Sequence, residues 1–155
     1  MTDQKTPSPA PTIDHGMGRR STDQQHVTLA SNLLTLDDVR AARERIGTSV
    51  LHTPTTFSRT LSDLVGANVY LKFENLQFTA AYKERGALNA LLMMDTDQRE
   101  RGVIAASAGN HAQGLAYHGA RLGVPVTIVM PEPTPQVKVS QTAGHGATIV
   151  LHGEK

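Results

Sequence analysis

Apolar positions recur with helical spacing early in the chain. Thr35 and Asp38 stand at capping-box spacing ahead of Leu36, Val39 and Ile46, which share one helical face. The residue before Pro54 is driven to extended geometry, so His52-Thr-Pro-Thr reads as a turn. Leu61, Leu64 and Val65 predict a short amphipathic helix that Gly66 can end, and Val69 to Phe73 alternates as a strand. Beyond Lys83 the pattern becomes regular. Ala87, Leu88, Leu91 and Leu92 mark a helix, Val103 to Ala106 a short buried strand, and His111 to Leu122 a helix stopped at Gly123. Val126 to Met130 is a second strand, Pro135 to Ala143 a helix opened by its proline, and Thr148 to Leu151 a third strand. Strands alternating with helices of this length predict an α/β fold of βαβ units, with a parallel sheet and right-handed crossovers.

The pattern also predicts boundaries. Residues 1–31 are rich in Pro, Thr, Asp, Gln and Gly and nearly lack large apolar side chains, which predicts a disordered tail. The last strand ends four residues before the carboxy terminus, where a buried parallel strand normally needs further helical cover, so a truncated fold is expected. Composition adds exclusions. A net charge of +1 over 155 residues leaves no electrostatic footprint for nucleic acid or anionic lipid. Without cysteine there is no disulfide, thiolate nucleophile or thiolate-bound metal. The start lacks a signal-peptide core, and no apolar run approaches the ~18 residues of a membrane span. A soluble cytoplasmic protein is the expectation.

Two segments could carry chemistry. Ser107-Ala-Gly-Asn-His-Ala-Gln-Gly114 follows a strand and opens a helix, a place where free backbone N–H groups favour a carboxylate or phosphate. Gly109 lets backbone approach a ligand, and Ser107, Asn110 and His111 add side-chain hydrogen bonds. A helix start with nothing bound gives the same spacing. In the second segment Lys83 follows Ala80-Ala81-Tyr82; apolar neighbours would desolvate its amine and free it for Schiff-base chemistry, although surface lysines are far commoner. Glu84 and Arg85 read as solvated or paired. His15, His26, His52, His118, His145 and His152 show no metal-ligand spacing and read as surface or structural. Pro131-Glu-Pro-Thr-Pro135 reads as a rigid loop that could border a site.

Phe73-Glu-Asn-Leu-Gln77, Ala80-Ala-Tyr-Lys-Glu-Arg-Gly-Ala87, Ser107 to Gly114 and Val129-Met-Pro-Glu132 together resemble, in order and spacing, the fold-type II pyridoxal-phosphate enzymes (tryptophan synthase β-like), and within them the serine/threonine dehydratase branch. The resemblance runs from about Thr35 to the end. It implies that Lys83 holds pyridoxal 5'-phosphate as a Schiff base, that Tyr82 stands where a phenylalanine usually faces the pyridine ring, and that Asn110 hydrogen-bonds the cofactor's phenolic oxygen. Ser107, Ala108, Gly109, Asn110 and His111 would receive the substrate carboxylate. Residues 32–82 would belong to the larger cofactor domain and 83–155 to the smaller α/β domain, both incomplete. The implied reaction converts threonine or serine to a 2-oxo acid and ammonia, threonine giving 2-oxobutanoate as in isoleucine biosynthesis, in an enzyme that is a homo-oligomer when full length.

Two departures stand out. The block before the lysine usually reads Gly-Ser-Phe and here reads Ala80-Ala81-Tyr82. At Ala108 related racemases carry a serine and dehydratases commonly an alanine, which favours elimination over racemisation. The phosphate-binding glycine loop and the partner of the pyridine nitrogen are expected beyond Lys155, so this stretch alone should be inactive. Competing readings are β-replacement or threonine synthase chemistry, serine racemisation, a non-catalytic carboxylate-binding module, and a remnant without function.

Overall fold

The computed structural model describes residues 33–154; the tail expected over residues 1–31 lies outside them. Helix α1 (Leu36–Ile46) starts at the capping box, Thr35 Oγ1 accepting the Asp38 N–H while Asp38 accepts from the Thr35 N–H, and carries Arg43 and Arg45 in its last turn. Of its expected apolar face only Ile46 is buried; Leu36 and Val39 are exposed. Strand β1 (Thr55–Phe57) pairs antiparallel with β2 (Tyr70–Lys72) around α2 (Arg59–Val65). Gly66 ends α2 with φ +68°, the left-handed cap that glycine adopts without cost. Leu61, Leu64 and Val65 remain exposed, so this helix exists without burying its apolar side.

Helix α3 (Lys83–Met93) comes after a short 3-10 turn at Glu74–Leu76. Helix α4 (Thr96–Arg101) then leads into the βαβ units, β3 (Val103–Ala106), α5 (Asn110–Leu122), β4 (Val126–Met130), α6 (Gln136–Gly144) and β5 (Thr148–Leu151). The three strands are parallel and lie in chain order, β3–β4–β5, with Ala105 opposite Ile128 and Ile128 opposite Ile149. The parallel α/β fold expected from the periodicity is therefore present, with a small antiparallel pair beside it.

Alternation sorts the side chains of the sheet. Val126, Ile128 and Met130 point inward and are buried against Ala112, Leu115 and Ala116 of α5 and Ala87 and Leu91 of α3. On the opposite face Ile104 is 72% exposed, so β3, expected to be buried, is covered on one side only. Gly119 allows α5 to lie directly on β4, because a methyl there would collide with the Val126 side chain. A second cluster of Ile46, Val50 and Leu88 joins α1 to α3.

Candidate active site

Helix α5 begins at Gly109, whose extended backbone (φ −138°, ψ −153°) forms the cap with no side-chain hydrogen bond. The preceding turn is held at both ends. The Ser107 N–H donates to Val129 O at 3.0 Å, extending the β3–β4 ladder, and the Gly109 N–H donates to Ser107 Oγ at 3.4 Å. The N–H groups of the next turn, from Asn110 onward, are left without a capping side chain at the positive end of a 13-residue helix. Asn110 and His111 are exposed, and Ser107, Ala108 and Gly109 half-buried. A cleft of about 280 Å³ opens beside them, at the carboxyl ends of β3 and β4, lined by Ser107, Ala108, Val129, Pro131 and His152 among others. That is where open parallel sheets place ligands. A larger cavity of about 690 Å³ lies between α1 and the loop around Thr48 and contains no residue of either chemical segment.

Lys83 is the first residue of α3. It is exposed, as is Tyr82, and its ammonium lies over the Tyr82 ring at 4.9 Å from the centroid. The apolar surroundings expected for the amine are thus not supplied by residues 33–154, because the helix start turns the side chain outward. The two segments nevertheless meet through their backbones. A methyl built on Gly114 would stand 3.3 Å from the Glu84 nitrogen and 3.4 Å from the Lys83 carbonyl carbon. Gly114 lies four residues along α5 from Asn110, a rise of about 6 Å. The start of α3 at Lys83 therefore rests about one turn from the Ser107–His111 loop.

The acidic and basic neighbours of Lys83 have structural partners. Arg85 makes a two-pronged contact with Glu74, its Nε donating to Oε2 at 2.9 Å and an Nη2–H to Oε1 at 2.8 Å, and also donates to Leu51 O. Thr53 Oγ1 donates to Glu74 Oε1 at 2.6 Å, and Gln77 clamps Leu51 through both ends of its amide. These hydrogen bonds, Arg85 first, hold the Glu74 carboxyl down at about 2. Glu84, read as solvated or paired, is instead fully buried, 3.7 Å from a fully buried His118. Burial holds the His118 imidazole below its ordinary value, with the Arg121 charge adding to this and the Glu84 carboxylate opposing it. His118 is structural, as expected. His152, read the same way, lies on the cleft; only the pairing of β5 with β4 brings it there, so spacing gave no signal.

Ala80 has φ +53°. It is the residue that replaces the usual glycine before the lysine, and the left-handed backbone explains why glycine suits that position.

Residues 46–155 match the family model described as pyridoxal-phosphate dependent enzyme. The L-threonine ammonia-lyase of Thermotoga maritima is 43% identical over 121 residues, covering 78% of this chain and 30% of the relative. The L-threo-3-hydroxyaspartate ammonia-lyase of Saccharomyces cerevisiae is 49% identical over 118 residues, covering 76% of this chain and 36% of the relative. The crystal structure of serine racemase from Dictyostelium discoideum superposes with a TM-score of 0.74 at 37% identity, covering 79% of this chain and 40% of that one. The chain spans about a third of the length of these relatives. Among the described residues no helix is long and apolar enough to cross a membrane.

Proposed function

The chain belongs to the pyridoxal-phosphate-dependent enzyme family, and from that premise we propose that the protein carrying it is a dehydratase of β-hydroxy-α-amino acids, acting on threonine or serine and releasing ammonia and a 2-oxo acid. The observation that carries this reading is the seating of the Lys83 backbone against Gly114, one turn along α5 from the uncapped Ser107–His111 loop. The residues suit the cofactor: an accessible primary amine, an exposed aromatic ring beside it, and helix-start N–H groups that no side chain caps among the described residues.

Lys83 would hold the cofactor, with Tyr82 against its ring and Asn110 donating to its phenolic oxygen. When bound, pyridoxal phosphate supplies the electron withdrawal that acidifies the substrate Cα–H. The chain's own residues do the rest. The loop from Ser107 through Ala108, Gly109 and Asn110 to His111 binds the substrate carboxylate through N–H groups and so fixes how the Cα–H bond faces the amine. The Lys83 amine, when free, takes the Cα proton. The β-hydroxyl leaves with that proton as water, the resulting enamine tautomerises to an imine, and a water molecule hydrolyses it, so threonine ends as 2-oxobutanoate and ammonia. Ala108 offers no hydroxyl for a second proton transfer on the opposite face, which supports elimination over racemisation. In the same reading residues 32–82 and 83–155 contribute to two domains of a cytoplasmic homo-oligomer, serving amino-acid metabolism such as isoleucine formation.

The test is Lys83→Ala in the complete protein. Visible cofactor absorbance and production of 2-oxobutanoate should both disappear, and persistence of either would remove the assignment. The likeness to serine racemase supports a second reading, racemisation, which predicts D-serine from L-serine; O-acetylserine with sulfide tests β-replacement in parallel.

A further inference from the structure

Next to Lys83, two buried polar atoms face each other without a hydrogen bond. Glu84 Oε2 and His118 Nε2 are 3.7 Å apart, both side chains fully buried, and neither atom has a partner among the described residues. Their other ends are engaged. Glu84 Oε1 accepts the Thr79 N–H in a short contact, and the Arg121 Nη1–H donates to His118 Nδ1 at 3.4 Å. Arg121 is itself anchored, donating to Ser49 O at 3.0 Å and lying over the Tyr117 ring. Because Nδ1 accepts from a guanidinium, which has no lone pair to offer, the imidazole proton must sit on Nε2, aimed at the Glu84 carboxylate. The result is a polar line from Arg121 through His118 and Glu84 to the backbone at Thr79.

Thr79 matters because it leads directly into the turn before Lys83. Ala80 holds a left-handed backbone that a Cβ disfavours, and Tyr82 caps α3 with no side-chain hydrogen bond. The turn into Lys83 therefore lacks both the glycine that would relax it and a capping side chain. A carboxylate in the first helical turn, accepting an N–H from just before the helix, offsets both deficits.

We infer that Glu84, backed by His118 and Arg121, is a positioning residue for Lys83: it clamps the strained Thr79–Ala80 turn and so fixes where the lysine amine stands. The inference rests on the dehydratase reading for the role of Lys83, but the clamp has its own observable, hydrogen exchange at the Thr79 amide in the cofactor-free protein.

Two variants of the complete protein test it. In Glu84→Leu/His118→Leu both unsatisfied atoms are gone, so thermal stability should fall less than in Glu84→Leu alone, where the buried His118 Nε2–H faces no acceptor. Thr79 exchange should nevertheless quicken about 10- to 100-fold, the loss of one hydrogen bond to a charged acceptor. With an accompanying drop in kcat of about tenfold or more and KM changed less than about twofold, the defect is in placement of the amine and not in substrate binding. Glu84→Gln, nearly isosteric, keeps a carbonyl for Thr79 but turns an amide N–H toward His118 Nε2–H; it should give an intermediate change in both readouts, and it decides the matter if the double variant does not fold. Unchanged Thr79 exchange and unchanged kcat in a folded variant would overturn the clamp. Absence of cofactor and turnover in the parent protein would instead overturn the dehydratase reading, while faster Thr79 exchange in Glu84→Gln would still support the clamp.

Discussion

Replacing Glu74 by glutamine should remove the part of the protein's stability loss between pH 4.5 and 3 that this carboxyl contributes. In the folded chain the Glu74 carboxyl sits at about 2 against an ordinary 4.5, chiefly through its hydrogen bonds with Arg85, and its side chain is only 16% exposed. A carboxyl held low contributes its full stabilisation above the unfolded value and loses it as pH falls toward the folded one. At 1.36 kcal/mol per tenfold, the gap amounts to about 3 kcal/mol, of which about 2 is gone by pH 3. In Glu74→Gln the Arg85 guanidinium, 29% exposed, loses its anionic partner while Thr53 and Gln77 keep a neutral acceptor. The expected cost at pH 7 is about 3 kcal/mol, the lower end for breaking a buried pair because this one is partly hydrated. By pH 3 the difference from wild type should narrow to about 1 kcal/mol. Urea-unfolding midpoints measured at steps from pH 7 to pH 3 report both. A constant difference across that range would refute the reasoning, since it would show that Glu74 acts by shape and not by charge.

Other expected outcomes separate from this one by pH or by position. His118 is held below its ordinary 6.5 mainly by burial, so the unfolded chain takes up that proton first and stability should fall as pH drops below about 6.5; His118→Leu should flatten this limb and leave the Glu74 limb in place. Gly114→Ala should cost about 1–3 kcal/mol, because the added methyl meets backbone that cannot swing away, and should also weaken cofactor absorbance in the complete protein. Equal absorbance would show that the α3–α5 contact does not set the position of Lys83. Ala80→Gly should raise the melting temperature, the relief of about 1–2 kcal/mol of left-handed strain exceeding the entropy that glycine loses on folding.

Periodicity revealed the elements whose side chains meet a partner on one face. Helices α3 and α5 and strands β3 to β5 appear where the spacing of Ala87, Leu88 and Leu91, the stop at Gly123 and the run Val126–Met130 put them. Strand β1 was invisible because Thr55, Thr56 and Phe57 are all exposed and owe their conformation to pairing with a segment fifteen or so residues on. Helix α4 went unread because it is polar all round and offers no apolar stripe; the Asp95–Gln98 capping box that starts it is a local signal the periodicity does not carry. Of the two readings open for Glu84 and Arg85, solvated or paired, both residues turn out paired, Arg85 with Glu74 and Glu84 with His118 and Thr79. The full burial of Glu84 was not legible, because it depends on the close approach of α5 at Gly114, a long-range contact that local spacing does not encode.

The burial of Glu84 explains the exposure of Lys83. Consecutive residues on a helix point about 100° apart, so Lys83, Glu84 and Arg85 cannot share a direction. Glu84 is committed to α5 by burial against His118, and Arg85 to the Thr53–Gln77 loops by its two contacts with Glu74. With the rotation of α3 about its axis fixed by two anchors on different sides, the remaining direction is outward, and the lysine side chain takes it, over the Tyr82 ring. An amine held by its neighbours' attachments, with its own side chain free of them, stays available for covalent attachment to a small molecule. Salt bridges of its own would have tied up the amine that the proposed Schiff-base role requires.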